Sequence, residues 1–587
     1  SDNNVVLMAQ ENTESNQDWV KLTNNSGISL AGTGSLAMYA SNGKITNSAN
    51  GTITVGESGT AIYGKNKGVG DTVIVNDGTI TVGKASTAIY AKDYKTTGVE
   101  NNGIINLSGD DGIAISYAPN LTTAVLVENK KTIAGTAKKG TGIFAAKDTN
   151  SIQYNALNSG TITLGEGGVG IYTNAASAAV SPILSNTGTI TVGDSGIGLY
   201  GFEESTTGNI TVGKTGIALY SQDGNVTIGS ASKSPTITVG DTNATAVYTI
   251  GNGQTVTSTN ASYNIGTNSY GFVNKGTGNT VTINGGAATL EDKGVFIYSN
   301  DTTGNITNST AMSSTGTVGS NIGIYSAGTV TNSGNITFTG GTGNIGVYST
   351  SNGTITNSGA ITLGASTTTE RSIGAVANTG TITNSGNITV NGQYGLGLYS
   401  TGATSTINNA ANITLTGDET IGAYGVNSSN INLNSGTITS TGNKTTGYYL
   451  GNGTGSTIAS GAKIDVTGNE ANGAYINTGS SLTYAGETKV TGDAAYGLIV
   501  DGSSTVNATG GKVIIGGTSG INGSSSGANT NRGAAGLVVT SGSTLSGNNL
   551  DVTEDVSGEN SVGVYSAGSL AINSANVSAY DSAVNFF

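Results

Sequence analysis

The chain has no cysteine and no histidine, and its 587 residues include three prolines, one tryptophan and two arginines, Arg371 and Arg532. Without cysteine there is no disulfide scaffold and no thiol chemistry. Without histidine there is no imidazole base for a serine nucleophile, and the commonest zinc ligand is missing. Charged residues make up only 10 %, and the net charge is −13. This argues against binding to a phosphate backbone, and no nucleic-acid partner is expected. No run of about 18 apolar residues offers a transmembrane helix, and no leader is visible at Ser1. A large extracellular protein without disulfides suits a bacterial surface, because a chain that crosses a membrane unfolded gains from having no crosslinks.

Glycine is abundant, at 95 residues. With proline it makes about 17 % of the chain, below the level of about 25–30 % that marks low complexity. The hydrophobic residues are periodic. The phrase Gly-[Ile/Val/Thr]-[Gly/Ala]-[Ile/Leu/Val]-Tyr recurs at Gly59–Tyr63, Gly168–Tyr172, Gly196–Tyr200 and Gly216–Tyr220. Variants end at Tyr90, Tyr325, Tyr348 and Tyr565. A step of about 25 residues means stacked units, each too small to bury a core alone.

Two further phrases accompany it. Gly-x-Ile-Thr-[Val/Leu] stands at Gly51–Val55, Gly78–Val82, Gly160–Leu164, Gly188–Val192 and Gly208–Val212. Thr-Asn-Ser-Gly stands at Thr331–Gly334, Thr356–Gly359 and Thr383–Gly386. One full unit, Gly328–Asn352, holds three short β-rich segments between Gly/Asn/Ser turns. Each segment alternates apolar and polar residues, is rich in β-branched side chains and lacks proline. The fold class is all-β: a parallel β-helix with three strands per coil, right-handed like other parallel crossovers. About 20 coils of roughly 25 residues give a monomeric rod on the order of 100 Å long.

The tyrosine column runs Tyr39, Tyr63, Tyr90, Ser116, Phe144, Tyr172, Tyr200, Tyr220, Tyr248, Val273, Tyr298, Tyr325 and Tyr348. It continues as Ala377, Tyr399, Tyr424, Tyr449, Tyr475, Ile499, Val538 and Tyr565. The step from Ile499 to Val538 is about 14 residues too long, and the Gly/Ser/Asn-rich stretch 516–532 accounts for it as a protruding loop. Within that loop Asn522, Asn529, Asn531 and Arg532 are the binding candidates. Residues 1–30, with Trp19, fit the repeat poorly and are expected to be an end cap or junction, leaving 31–587 as the β-helix. The ends at Ser1 and Ala583–Phe587 look like those of a piece cut from a longer chain.

A second column contains Asn47, Asn76, Asn101, Asn129, Asn158, Asn186, Asn332, Asn357, Asn384 and Asn434. Stacked amides are expected to hydrogen-bond from coil to coil, which makes this column structural. The Asn-x-Ser/Thr sequons follow from the same repeat and carry little weight as glycosylation signals.

Motifs with chemical overtones reduce to the same repeat. Gly193-Asp194-Ser195-Gly196 spells the surroundings of a trypsin-like nucleophile, but it occupies the same turn as Gly56-Glu57-Ser58-Gly59, and no histidine exists. Gly165–Gly168 lacks the helix and lysine of a phosphate loop. Asp110-Asp111 is a weak calcium signal. Glu57, Lys84, Glu166, Asp194 and Lys214 fall at corresponding turns rather than in an evident cleft, so no catalytic residue, metal or cofactor is assigned. In Gly-Ile-Gly-Leu-Tyr, strict alternation puts Ile and Leu on one face and Tyr on the other, outer face. The tyrosines are then the most promising general binding surface.

With these phrases laid out, residues 30–580 resemble the passenger regions of very large fusobacterial type Va autotransporter adhesins, the RadD-like and galactose-inhibitable group. The resemblance implies a β-helix displayed on the bacterial cell surface, attaching to host cells or other bacteria through glycan or protein receptors. It also implies a C-terminal outer-membrane barrel, absent from these 587 residues, as the only membrane contact. Two alternatives stand beside it: a β-helical polysaccharide-active enzyme, and a passive spacer presenting another module.

Overall fold

The structure is a computed structural model that describes residues 4–10, 20–65, 73–516, 534–554, 562–574, 576–578 and 584–586. It is all-β, and the single helical element among the described residues is a 3₁₀ turn at Ala178–Val180. The chain divides into two compact units, Ser1–Thr289 and Leu290–Phe587. Each is a parallel β-solenoid, and together they contain about 21 turns.

One coil of the second unit illustrates the build. It contains an asparagine strand Thr329–Asn332, an Ile-Thr strand Ile336–Phe338 and a tyrosine strand Ile345–Thr350. In each unit the tyrosine strands form one parallel sheet, and the other two strand types line a second. Pairing is in register: Thr329, Val330, Thr331 and Asn332 stand opposite Thr354, Ile355, Thr356 and Asn357 of the next coil. Val330, Ile355 and Ile382 stack inside while the threonines face out, as alternation dictates for short Thr-Ile-Thr segments. The first unit repeats this with Ile53, Ile80, Ile162 and Ile190, all fully buried.

The described residues among 1–30 carry the same three ladders. Val5–Gln10 pairs with Leu36–Ser41, Val20–Asn24 with Gly43–Asn47, and Gly27–Leu30 with Thr52–Val55. Trp19 lies outside the described residues.

The tyrosine strand corrects the expected alternation. Along Ile197–Gly201, Gly198 and Leu199 are both buried, whereas Ile197 shares the half-exposed side with Tyr200. Ile197, Leu199 and Tyr200 pair with Ile217, Leu219 and Tyr220, but Gly198 has no direct ladder partner. A Cβ built on Gly198 would sit 2.5 Å from the Ala218 carbonyl oxygen and 2.7 Å from Ile210 Cγ2, inside the coil. The pleat is interrupted there, which is why the position demands Gly or Ala in nearly every coil; Phe296 is an exception, fully buried in the second unit.

The turn before most of the described tyrosine strands has a fixed geometry, the loop before Ile373–Asn378 being an exception. One residue adopts positive φ, as in Ser58 (55°), Ala85 (50°), Ser195 (57°), Lys293 (59°) and Lys444 (55°). Non-glycine residues rarely adopt this conformation, and here the stacked backbone imposes it in most described coils.

Candidate functional site

Two side-chain ladders distinguish these solenoids. The first is the asparagine ladder. In the first unit, Nδ2 of Asn24, Asn47, Asn76, Asn101, Asn129 and Asn158 each donates to Oδ1 of the next asparagine, ending at Asn186, at 2.7–2.8 Å. Asn186 then donates to Thr206 Oγ1 at 3.1 Å. In the second unit the run is Asn308, Asn332, Asn357, Asn384 and Asn409. Most of these amides also donate to the carbonyl two residues on, as Asn357 does to Gly359 at 2.9 Å. These asparagines are essentially unexposed, so the column is structural. Asn434 is not a member: Leu433 faces Asn409, and a bulge between Leu433 and Ser435 leaves Asn434 exposed. Asn24, Asn308 and Asn409 belong to the column although they lie outside Thr-Asn-Ser-Gly phrases.

The second is the tyrosine ladder, half-exposed in both units. In the first unit, stacked rings include Tyr63–Tyr90 (centroids 5.0 Å), Tyr200–Tyr220 (4.9 Å) and Tyr220–Tyr248 (5.2 Å). In the second they include Tyr298–Tyr325 (5.2 Å), Tyr325–Tyr348 (4.9 Å) and Tyr424–Tyr449 (4.9 Å). Each such pair contributes about 0.5–1.5 kcal/mol beyond area burial. Within a run both faces of a ring are taken by its neighbours, so only edges and hydroxyls face outward. A sugar ring has no stacking face there.

Partial burial and the adjacent phenols hold the Tyr63, Tyr200 and Tyr325 hydroxyls above the usual tyrosine range. Tyr475 is pushed up to about 12, first by burial and then by its bond to Asp501, which accepts at 2.9 Å. Asp501 in turn is held low, chiefly by the Thr540 hydroxyl.

The column breaks where expected at Ser116 and Val273 and runs through Ile499 into Val538. One break shifts by a residue: Val376, not Ala377, faces Tyr348 and Tyr399. The loop candidates Asn522, Asn529, Asn531 and Arg532 lie outside the described residues. The strands flanking the loop stay in register: Lys512–Ile515 pairs with Asp551–Glu554, and Ala535–Val539 with Tyr496–Val500.

The charged turn residues bind one another. Glu57 lies 4.0 Å from Lys84, and Lys138 lies 2.8 Å from Glu166. Asp110 accepts the backbone N–H of Lys138, Asp194 that of Lys214 and Asp418 that of Asn443. Ser195 shares a hydrogen bond with the Thr215 hydroxyl, as an ordinary turn residue would. Among the described residues no group of three or more carboxylates is arranged to hold a metal ion.

Sequence reasoning passed over one constellation. In the second unit the loop 364–372 is long and internally tied. Ser372 N–H donates to Ser366 Oγ at 2.8 Å, Glu370 N–H donates to Thr367 Oγ1 at 2.9 Å, and the Thr342 hydroxyl donates to Glu370 Oε2 at 2.6 Å. The loop presents Arg371, whose guanidinium lies 5.9 Å above the Tyr394 ring and donates to the Tyr394 carbonyl at 3.3 Å. Tyr394 has φ +64°. The scarcity of arginine was the available signal, but the sequence could not show which turn faces it.

A family model described as the BigA third pectate lyase-like domain matches residues 3–137. The match points to a bacterial surface passenger of the autotransporter-like kind. No curated protein matches the chain closely enough to count as a relative.

Proposed function

We propose that this chain is the passenger of a bacterial surface adhesin, akin to the fusobacterial type Va group it resembles. It attaches to host cells or other bacteria through glycan or protein receptors. The observation that carries this reading is the half-exposed ladder of phenols repeated in each unit. Aromatic edges and hydroxyls on a rigid sheet are surfaces that suit partner recognition, because one end of each group is apolar and the other wet. The neighbouring acids, by contrast, are engaged in coil-to-coil bonds. The test is adherence of the purified chain to host cells and to other bacteria. Saturable binding that is competed by the soluble chain is expected; no binding to any surface would leave a spacer.

A second reading, a polysaccharide-active enzyme, is favoured by the pectate lyase-like description of the model matching residues 3–137. Release of reducing or unsaturated ends from a panel of polysaccharides would establish it and displace the adhesin reading.

A further inference from the structure

Arg371 is the one arginine among the described residues. Acids outnumber bases 35 to 22, and every ion pair among the described residues uses a lysine. Arg371 has no carboxylate within ion-pair distance among them, and its hydrogen bond to the Tyr394 carbonyl occupies only one of five donors. The tied loop 364–372 holds it in place, so its position does not depend on a partner acid.

Tyr394 is equally unusual. The positive-φ turn position elsewhere carries Ser195, Asn268, Lys444 or Ala494, and Tyr394 is the one aromatic residue with positive φ among the described residues. A bulky side chain there is strained, and such strain persists where the surroundings impose it and the residue has a use. The coil of Arg371, next to that of Tyr394, carries the break at Val376. Tyr348 stacks on Tyr325 and Tyr399 on Tyr424, and neither has an aromatic partner across Val376. Arg371 also acts on this face: its charge opposes the upward shift of the Tyr424 hydroxyl, which is driven first by burial and then by Tyr449 and Tyr399.

We propose that Arg371 and Tyr394, beside the ladder break at Val376, form a contact site for an acidic sugar, a sialic or uronic acid. The planar guanidinium takes the carboxylate as a fork, and the tyrosine rings take the apolar face of the sugar ring. An acidic peptide would satisfy the arginine but would bring no rigid ring to the aromatic faces. The proposal rests on the adhesin reading for its biological setting, and the two fail separately.

The test is binding of the full chain to immobilised N-acetylneuraminic acid, glucuronic acid, galactose and poly-glutamate. At least one acidic sugar is expected to bind about 10-fold better than galactose and poly-glutamate, with affinity falling as salt rises. Arg371→Gln should lose about 10-fold, and Arg371→Lys, which keeps the charge but not the fork, several-fold. Tyr394→Gly is the discriminating variant: it relieves the backbone, so it should raise thermal stability while weakening sugar binding. Equal binding of galactose, preferential binding of poly-glutamate, or unchanged binding by Arg371→Gln would overturn the site. So would a Tyr394→Gly variant that loses stability and keeps its affinity. Cell adherence that survives both sialidase treatment and Arg371→Gln overturns the site and leaves the adhesin standing. Sugar binding without adherence does the reverse.

Discussion

Replacing Asn357 by alanine removes the middle rung of the second unit's amide ladder. Asn357 accepts from Asn332 at 2.7 Å and donates to Asn384 at 2.8 Å and to the Gly359 carbonyl at 2.9 Å. Each such bond contributes about 1 kcal/mol net. Asn332 keeps its bond to Gly334, but the buried Asn384 oxygen loses its Asn357 donor, a desolvation cost of about 1–3 kcal/mol. The total is a local loss of about 4–6 kcal/mol. Because stacked repeats unfold as neighbours rather than all at once, global melting is the wrong readout. Hydrogen exchange should show faster opening of the strands Thr329–Asn332, Thr354–Asn357 and Thr381–Asn384, with the first unit unchanged. The control is Asn434→Ala, on the exposed bulge residue, which should do nothing measurable. If the two variants exchange alike, the ladder contributes no stability and the reasoning fails.

Three further outcomes are expected. Glu204 is buried between Leu184 and Val226; one oxygen accepts the Gly201 N–H at 2.9 Å, the other has no partner, and burial holds its carboxyl well above the usual range. The unfolded chain releases this proton near pH 4.5 and the folded chain does not, so stability should fall as pH rises above that value. Glu204→Leu should abolish that slope and add about 1–3 kcal/mol at neutral pH, read by urea titration at pH 5 and 8. Gly198→Val would drive a branched side chain against the Ala218 carbonyl, so a loss of about 3 kcal/mol, seen as accelerated proteolysis of the first unit, is predicted; wild-type resistance would contradict the inward orientation of this column. Ala85→Gly, at φ 50°, should stabilise by about 0.5–1 kcal/mol, since the relief of left-handed strain exceeds the added chain entropy; a lowered melting temperature would refute it.

The solenoid was legible because its signal repeats. A period-2 pattern such as Thr-Ile-Thr, met about twenty times at one spacing, leaves little freedom in strand, register or coil size. The amide ladder was legible for the same reason. Errors arose where the pattern is interrupted locally. Alternation assigned Gly198 to the outside because the broken pleat is a backbone event that leaves only a small residue as its trace. Phase counted by tyrosine spacing slipped to Ala377, and phase counted by asparagine slipped to Asn434, because a loop and a bulge absorb residues without changing the ladders. The Arg371 constellation was the least legible, since Arg371 and Tyr394 meet across coils, with a turn conformation that composition does not encode.

The amide ladders also have a direction. Every rung donates its N–H toward the coil of higher residue number, from Asn24 to Asn186 and from Asn308 to Asn409. The trailing oxygens are met by local backbone, Asn24 by Ser26 N–H and Asn308 by Thr310 N–H. The aligned amide dipoles polarise one another along each run. Each run is therefore polar, its N–H groups aimed at the coil of higher number and its first oxygen engaged by local backbone.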